Sequence, residues 1–393
     1  MPTSEPTSVP AAGTPARPSA LRVAILGTRG IPARYGGFET FAEQLAVRLV
    51  QRGFEVTVYA EADGPVQPDQ MYRGVRVRFR RRRRWGPASV IAYDCACLWD
   101  ARRGYDLVYM LGYGAAWACW WPRVWGTPVW INVDGLEWAR SKWSGLARLY
   151  LRLMEWAATR TATCLIADAD AIARRFRQRY PRGAPCTTIA YGADVVDPAQ
   201  VPVEPLAAWG LTPAQYALVV ARPEPENHIL EIIEGFLQHG GQWPLVVVGD
   251  VSGATAYQRR LLALRSPRVR FIGPVYDSAG LTALRAHAAV YLHGHSVGGT
   301  NPSLLESMAC GSLVIAHDNP FNREVAGDIA DYFDSPTSLA AALEKLYRQP
   351  PAVLQRRRRW ARDIIRRRYD WDRIADAYVR LIRRQTGHDR APH

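Results

Sequence analysis

Apolar and polar positions along the chain alternate between two kinds of pattern. Short, largely apolar runs occur at Leu21–Gly27, Glu55–Ala60, Asp106–Leu111, Pro128–Val133, Thr163–Ala167 and Thr187–Ala190. They read as strands buried on both faces of a sheet. Between them the apolar positions take helical spacing. Phe38, Phe41, Ala42, Leu45, Ala46 and Leu49 share one helix face, and Gly53 ends that helix. Trp143–Arg160 and Asp168–Arg179 read as further helices. A second series begins at Tyr216–Ala221 and continues through Leu245–Gly249, Val269–Gly273, Ala289–Leu292, Leu313–Ala316 and Asp331–Phe333. A helix is expected from about His228. A short one is expected from Asn301, with Leu304, Leu305 and Met308 on one face and Gly311 as its stop. Near the end, Trp371, Ile374, Ala375, Tyr378, Leu381 and Ile382 make one apolar stripe.

Strand–loop–helix units that repeat in two series, each half about 180 residues, imply an α/β fold of two doubly wound, Rossmann-like domains facing across a cleft. No sequence repeat relates the halves. Residues 1–20 are rich in Pro, Ser, Thr and Ala and are expected to form a disordered arm. Residues 21–200 make the first domain and 201–365 the second, with a Pro- and Ala-rich linker over 195–215. Residues 366–393 make a last helix, expected to pack back on the first domain, and a tail.

Composition narrows the partners. The 393 residues carry a formal net charge of +14, mostly from arginine, so phosphates are the natural counterparts: nucleic acid, an anionic membrane face or a phosphorylated substrate. No recognised nucleic-acid motif accompanies the charge. The six cysteines show no framework spacing and read as reduced thiols of a cytosolic protein. Met1–Ala20 has neither a basic start nor a long apolar run, so no targeting segment is expected. The most apolar uncharged stretch, Leu107–Trp121, is 15 residues long and holds Gly112 and Gly114. A spanning helix needs about 20, so no transmembrane segment is expected.

Candidate chemistry gathers at strand ends, where doubly wound sheets bind ligands. After the first strand, Thr28, Arg29 and Arg34 precede Gly36 and Gly37, which let backbone approach a ligand just before a helix. After Pro128–Val133 come Asp134 and Glu137, two carboxylates placed for acid–base or hydroxyl-binding work; Asp134 also suits a helix N-cap. Arg222 follows a strand and suits a diphosphate, or pairs on the surface with Glu224 or Glu226. In the stretch His293–Gly311, a glycine-rich loop holding Gly298, Gly299 and Thr300 leads into a helix capped by Asn301 and opened by Pro302. The positive end of that helix is an anion site. Glu306, on its second turn, is placed to reach a hydroxyl of the same ligand. His293 and His295 have no carboxylate or cysteine at ligand spacing, so no metal is expected.

Two further runs stand out. Arg73–Trp85 alternates basic and apolar residues, then becomes an arginine run. It reads either as a solvated edge strand blunted by charge or as a patch for anionic lipid head groups. Trp117, Trp120, Trp121 and Trp125 are expected to pack in a core or between helices; a hydrophobic shelf at a bilayer is the other reading. The arginine clusters 356–359 and 366–368 read as a charged helix face.

Three segments, GTRGIPARYGGFET (27–40), INVDGLEWARSKW (131–143) and HGHSVGGTNPSLLESMACG (293–311), resemble the retaining nucleotide-sugar glycosyltransferases of the fourth sequence family. They are most similar to a subgroup that includes bacterial rhamnosyltransferases of polysaccharide assembly. The resemblance spans nearly the whole chain after Ala20 and implies the GT-B fold. It implies a donor site in which Gly36 and Gly37 approach donor phosphate, Asp134 meets the transferred sugar or acceptor hydroxyl, and Arg222 holds the diphosphate. Gly299, Thr300, Asn301, Pro302 and Ser303 would line the phosphate, and Glu306 would bind the nucleotide ribose. Arg34, Tyr35, Glu137 and Arg140 are the acceptor-side candidates. The chain departs from the family pattern twice. Gly298 stands where the first glutamate of the Glu-x7-Glu motif is expected, and Asn227 stands where a lysine is expected.

The implied reaction is front-face attack by an acceptor hydroxyl with retention, the departing phosphate oxygen taking the proton, without a cofactor. The implied partners are a nucleotide-diphosphate sugar, a polyprenyl-diphosphate-linked acceptor and an anionic membrane surface met through Arg78–Arg84. The implied location is cytoplasmic, peripheral on the inner face of the membrane. The two departures also fit a catalytically silent nucleotide-sugar-binding partner.

Overall fold

A computed structural model describes residues 20–33, 36–62, 64–83, 86, 88–133, 135–140, 143–264 and 266–387. All but the last residue of the expected arm lies outside them, as do Arg34, Tyr35, Arg84 and Asp134.

The first series forms an eight-stranded sheet: β1 (Arg22–Leu26), β2 (Glu55–Ala62), β3 (Gln70–Tyr72), β4 (Val75–Arg81), β5 (Leu107–Leu111), β6 (Val129–Asn132), β7 (Cys164–Ala167) and β8 (Cys186–Thr188). Their order is β3-β4-β2-β1-β5-β6-β7-β8. All neighbours are parallel except β3 and β4. The second series forms a six-stranded parallel sheet from β9 (Ala217–Val220), β10 (Leu245–Val248), β11 (Val269–Gly273), β12 (Val290–His293), β13 (Val314–His317) and β14 (Asp331–Phe333). Its order is β11-β10-β9-β12-β13-β14. Helices cover both faces of each sheet, so inner strands such as β1 and β7 are apolar on both sides and almost wholly buried.

Both sheets reverse their winding direction at one place, between β1 and β5 in the first and between β9 and β12 in the second. At such a point the flanking connections run to opposite faces and leave a crevice beyond the carboxyl ends of the strands. The two glycine-bearing loops, 27–37 and 294–301, both leave strands at these points.

The carboxyl-terminal helix Trp371–Gln385 returns to the first sheet. Its buried stripe packs with the helix Gly37–Gln51 in a single core. The Tyr378 and Tyr109 hydroxyls are 3.0 Å apart, and Trp130 Nε1 donates to Gln385 at 2.6 Å. Arg52 reaches Asp372 at 3.0 Å and Asp376 at 2.7 Å. The segment expected to be a linker is packed: Leu206 is buried, and Val196 N–H donates to the Ala309 carbonyl.

Three expectations change on folding. Of the tryptophan run, Trp121 packs between helices as expected, against Trp99, but the other three are not core. The run makes two short helical turns, Ala116–Cys119 and Trp120–Val124, that turn Ala116, Ala118 and Cys119 inward and leave Trp117, Trp120 and Trp125 about half exposed. Small residues allow the backbone to lie close on the sheet, so the large ones must face out. The arginine run is in part paired: Arg78 with Asp69 and Asp100, Arg80 with Asp100, and Arg82, just past β4, with Glu61, while Arg76 and Arg81 stay exposed. Nor is the 356–359 cluster simply a solvated face. Arg357 pairs with Asp331 at 2.7 Å, and Arg358 donates to the carbonyls of Gly311 and Ala289.

Candidate functional site

Each arm of the site is tied down locally. In the loop after β1, the first turns of the helix Gly37–Gln51 reach back: Glu39 Oε1 accepts from Arg29 N–H at 3.1 Å and Glu43 Oε2 from Ala33 N–H at 2.7 Å. Gly36 caps that helix at φ 107°, where only glycine sits without strain. In the loop after β12, Asn301 Oδ1 caps the helix Pro302–Ala309 by accepting from Ser303 N–H at 2.9 Å. The Ser303 hydroxyl donates to the Val220 carbonyl, at 3.1 Å, and lies 2.7 Å from Tyr291 Oη, which ties this helix to the end of β9. Pro302 brings no N–H and that of Ser303 is taken by the cap. What the helix end offers an anion is therefore mainly its dipole and the amides of the preceding loop.

The two loops meet. A Cβ on Gly37 would sit 3.7 Å from Pro302 Cγ, so the amino ends of the two helices converge across the cleft. Gly135, beside Asp134, has φ +59°, and a Cβ there would be 2.7 Å from Gly298 Cα. Gly299 lies directly on the Asp168 carboxylate, and Thr300 Oγ1 donates to the Asp168 carbonyl. Below them Glu324 of the second domain accepts from the amides of Asp170 and Ala171, at 2.8 and 3.2 Å, and so caps a helix of the first.

Charged side chains bridge the same gap. Glu137 pairs with Arg140 at 2.6 Å and accepts from Trp143 Nε1 at 3.1 Å. Arg140 in turn lies 3.8 Å from Glu224, which lies 3.5 Å from Arg222. Two acceptor-side candidates and the diphosphate candidate thus form one line across the cleft. The Arg222 guanidinium is 48% exposed, which leaves it open to a ligand. Glu306 is held at 2.5 Å by Arg285, a buried arginine on the neighbouring helix, and its carboxylate stays about a third exposed.

Four histidines stand behind Arg222. His293 stacks on His295 at 4.5 Å, and His228 on His317 at 4.2 Å. Burial lowers His295 to about 3, helped by the positive charges of Arg222 and Arg140. Burial, then His295 and His317, hold His293 well below the usual imidazole range. His293 and His295 are thereby held neutral, and each stacked pair packs as flat plates; among the described residues no group of three or more His, Cys, Asp and Glu side chains could hold a metal.

The departures from the family pattern acquire physical reasons. Asn227 is buried, and its amide donates to the Arg222 carbonyl at 2.8 Å. That bond pins the backbone of the turn at Arg222. Gly298 has φ +126°, and Gly135 packs against its Cα.

One site residue went unread in the sequence. The sequence places Asp168 at the start of a helix, but the helix runs Asp170–Arg179, and Asp168 sits buried at the end of β7 against the loop 294–301. Its signal was a carboxylate directly after the apolar run CLIA at a strand's carboxyl end.

Comparisons with known proteins place these features. Residues 20–194 match a family described as "Domain of unknown function (DUF1972)", and residues 210–367 match "Glycosyl transferases group 1". Among solved structures, the chain is similar to sucrose-phosphate synthase from Thermosynechococcus elongatus, with 19% identity, a TM-score of 0.79, and coverage of 94% of this chain and 100% of that one. It is similar to Anabaena HepE in complex with UDP and glucose, with 19% identity, a TM-score of 0.74, and coverage of 92% and 99%. It is also similar to the UDP-forming alpha,alpha-trehalose-phosphate synthase of Burkholderia vietnamiensis, with 13% identity, a TM-score of 0.71, and coverage of 93% and 100%. A search of curated proteins returned no match. The fold is GT-B, two Rossmann-like α/β domains. On that fold, residues 210–367 form a domain that matches the group-1 glycosyl transferases.

Proposed function

We propose that this protein is a retaining family-4 enzyme that moves a hexose or deoxyhexose from a nucleotide-diphosphate sugar to a lipid-linked or polysaccharide-precursor acceptor. Rhamnose is the first sugar to test, because the segments 27–40 and 131–143 resemble the rhamnosyl subgroup. The first domain, 21–200, takes the acceptor and the second, 201–365, the donor. The observation that carries this reading is the convergence of Arg222, Arg140 and two helix amino ends on one crevice at both switch points. Positive charge and oriented dipoles aimed at one place suit a leaving diphosphate.

In this reading Arg222 and the helix from Pro302 stabilise the charge that develops on the diphosphate. Gly36 and Gly37 let backbone approach it, beside Gly299, Thr300, Asn301 and Ser303. Glu306, oriented by Arg285, accepts from a ribose hydroxyl. Asp134, with Arg34 and Tyr35, orients the acceptor hydroxyl and the transferred sugar, and Glu137 holds Arg140 toward the cleft. The hydroxyl attacks the anomeric carbon on the face the diphosphate leaves, and the departing phosphate oxygen takes its proton. The acceptor is a polyprenyl-diphosphate-linked sugar in cell-surface polysaccharide synthesis. The protein works from the cytoplasmic face of the membrane.

The test is transfer of label from UDP-, thymidine-diphosphate- and GDP-sugars to a polyprenyl-diphosphate-linked acceptor. The UDP and glucose bound to Anabaena HepE make UDP-glucose the reference donor. Retention is read by NMR of the product anomer. Arg222→Ala is expected to lower kcat by roughly 100-fold, the usual cost of losing one charge-stabilising group. Donor binding without turnover across all donors would instead favour the silent binding partner, to which Gly298 and Asn227 point.

A further inference from the structure

The helix Gly145–Thr161 is amphipathic in an unusual sense. Its inner face, including Leu151, Met154 and Ala158, is buried on the first sheet. Its outer face carries Leu146, Leu149, Leu153 and Trp156, spaced three or four apart on one stripe and between 51% and 83% exposed. A scattered exposed leucine needs no explanation; an aligned set marks a contact surface. The same layer of helices, on the same face of the sheet, exposes Trp99, Trp117, Trp120 and Trp125. The pieces are joined: Thr161 Oγ1 donates to the Ala116 carbonyl, Arg123 reaches the Arg160 carbonyl, and Trp121 packs edge-on against both Trp99 and Trp117.

Charge identifies the occupant. Arginines lie over the exposed rings, Arg103 over Trp125 at 3.5 Å and Arg102 over Trp99 at 4.1 Å, with Arg160 beside Trp156. Arg148 and Arg152 flank the leucine stripe on its exposed side. The carboxylates of these elements are withdrawn from the surface. Asp94 is buried, Asp100 is held by Arg78 and Arg80, and Glu155 is buried beneath Trp138 and Arg175. Leucines that reach an apolar phase, tryptophans at its edge and arginines without exposed acidic neighbours match the acyl, interfacial and head-group layers of a bilayer in that order.

We propose that this face, the stripe on Gly145–Thr161 together with the neighbouring tryptophans, is a docking surface for an anionic lipid bilayer, on which the helix lies flat. The surface uses none of the donor-site residues, so it stands or falls separately from the transferase reading. It also differs from the β4 run, where Arg78 and Arg80 are paired with Asp69 and Asp100.

The experiment is flotation of the full chain with phosphatidylglycerol–phosphatidylcholine vesicles against phosphatidylcholine alone, read together with tryptophan quenching by brominated acyl chains. The unmodified chain is expected to float with anionic vesicles and to be quenched. Leu149→Gln with Leu153→Gln should weaken binding roughly tenfold or more, since each leucine loses its apolar burial, while keeping its melting temperature because both positions are exposed. Arg76→Gln with Arg81→Gln should float nearly as well as the unmodified chain. The proposal is overturned if the unmodified chain neither floats nor is quenched, or if the leucine variant floats unchanged. It is equally overturned if the chain dimerises in solution through this face and the leucine variant abolishes the dimer without any lipid binding to lose.

Discussion

Gly135→Ala isolates the contact that joins the two domains beside the crevice. Two costs follow from the structure, and they fall on different states. The residue has φ +59°, so any side chain there strains the folded protein by roughly 1–2 kcal/mol whether the cleft is open or closed. The new Cβ would also lie 2.7 Å from Gly298 Cα, and backbone cannot swing aside as a side-chain tip can. Overpacking of this kind costs roughly 1–3 kcal/mol, but only when the domains are closed on each other. Ligand binding that needs the closed form should therefore weaken by roughly 5- to 150-fold, while the melting temperature reports the strain alone. Gly298→Ala is the matched control: its φ is +126°, but its Cβ would meet nothing within 4 Å. The assay is isothermal titration with whichever nucleoside diphosphate binds the unmodified chain, alongside thermal unfolding of both variants. If Gly135→Ala loses no more affinity than Gly298→Ala at equal stability loss, closure through this contact is not part of binding and the reasoning fails.

Asn227→Lys, which places there the lysine that the resemblance implies, is expected to destabilise the fold by roughly 1–3 kcal/mol by stranding the Arg222 carbonyl; urea unfolding measures it, and unchanged stability would contradict the turn-setting role. Glu306→Ala should weaken donor binding and also lower stability, because buried Arg285 loses its partner, whereas Glu306→Gln should recover most of the stability; comparing their melting curves with their donor affinities separates the two effects. Burial, reinforced by the Glu61 carboxylate and opposed by Arg82, raises Asp94 to about 8. The folded chain thus keeps a proton that the unfolded chain releases above roughly pH 4, so stability falls as pH rises from there to about 8, by at most about 1.4 kcal/mol per unit. Asp94→Asn should flatten that slope, and urea midpoints at the two ends of the window would show whether it does.

Much of the architecture was legible because parallel strands buried on both faces must be nearly continuous apolar runs, and the helices between them must carry one apolar stripe. That made β1, β2, β5, β6 and β7 readable in the first half and the glycine loop, cap and helix around Asn301 readable in the second. The short edge strand β3 is not read, since three residues at a sheet edge carry little pattern, and β8 is read from Thr187 rather than Cys186. The helix Ala88–Asp100 escaped notice between the arginine run and β5.

Local sequence thus determined the element types, the two-domain plan and the residues able to meet a phosphate, because these depend on spacing over a few turns. Which of those residues face one another depends on contacts between distant parts of the chain. Folding set Arg140 near Glu224 and Arg222, placed Gly299 on Asp168, and turned Asn227 into a support for Arg222. Folding also distributed the charge. Arg78 and Arg80 of β4 and Arg357 and Arg358 of the 356–359 cluster are held by carboxylates and carbonyls brought from elsewhere. The exposed leucine stripe of Gly145–Thr161 could not be told from a core stripe in sequence, because a helix with apolar residues on two faces shows which one is covered only once its neighbours are in place.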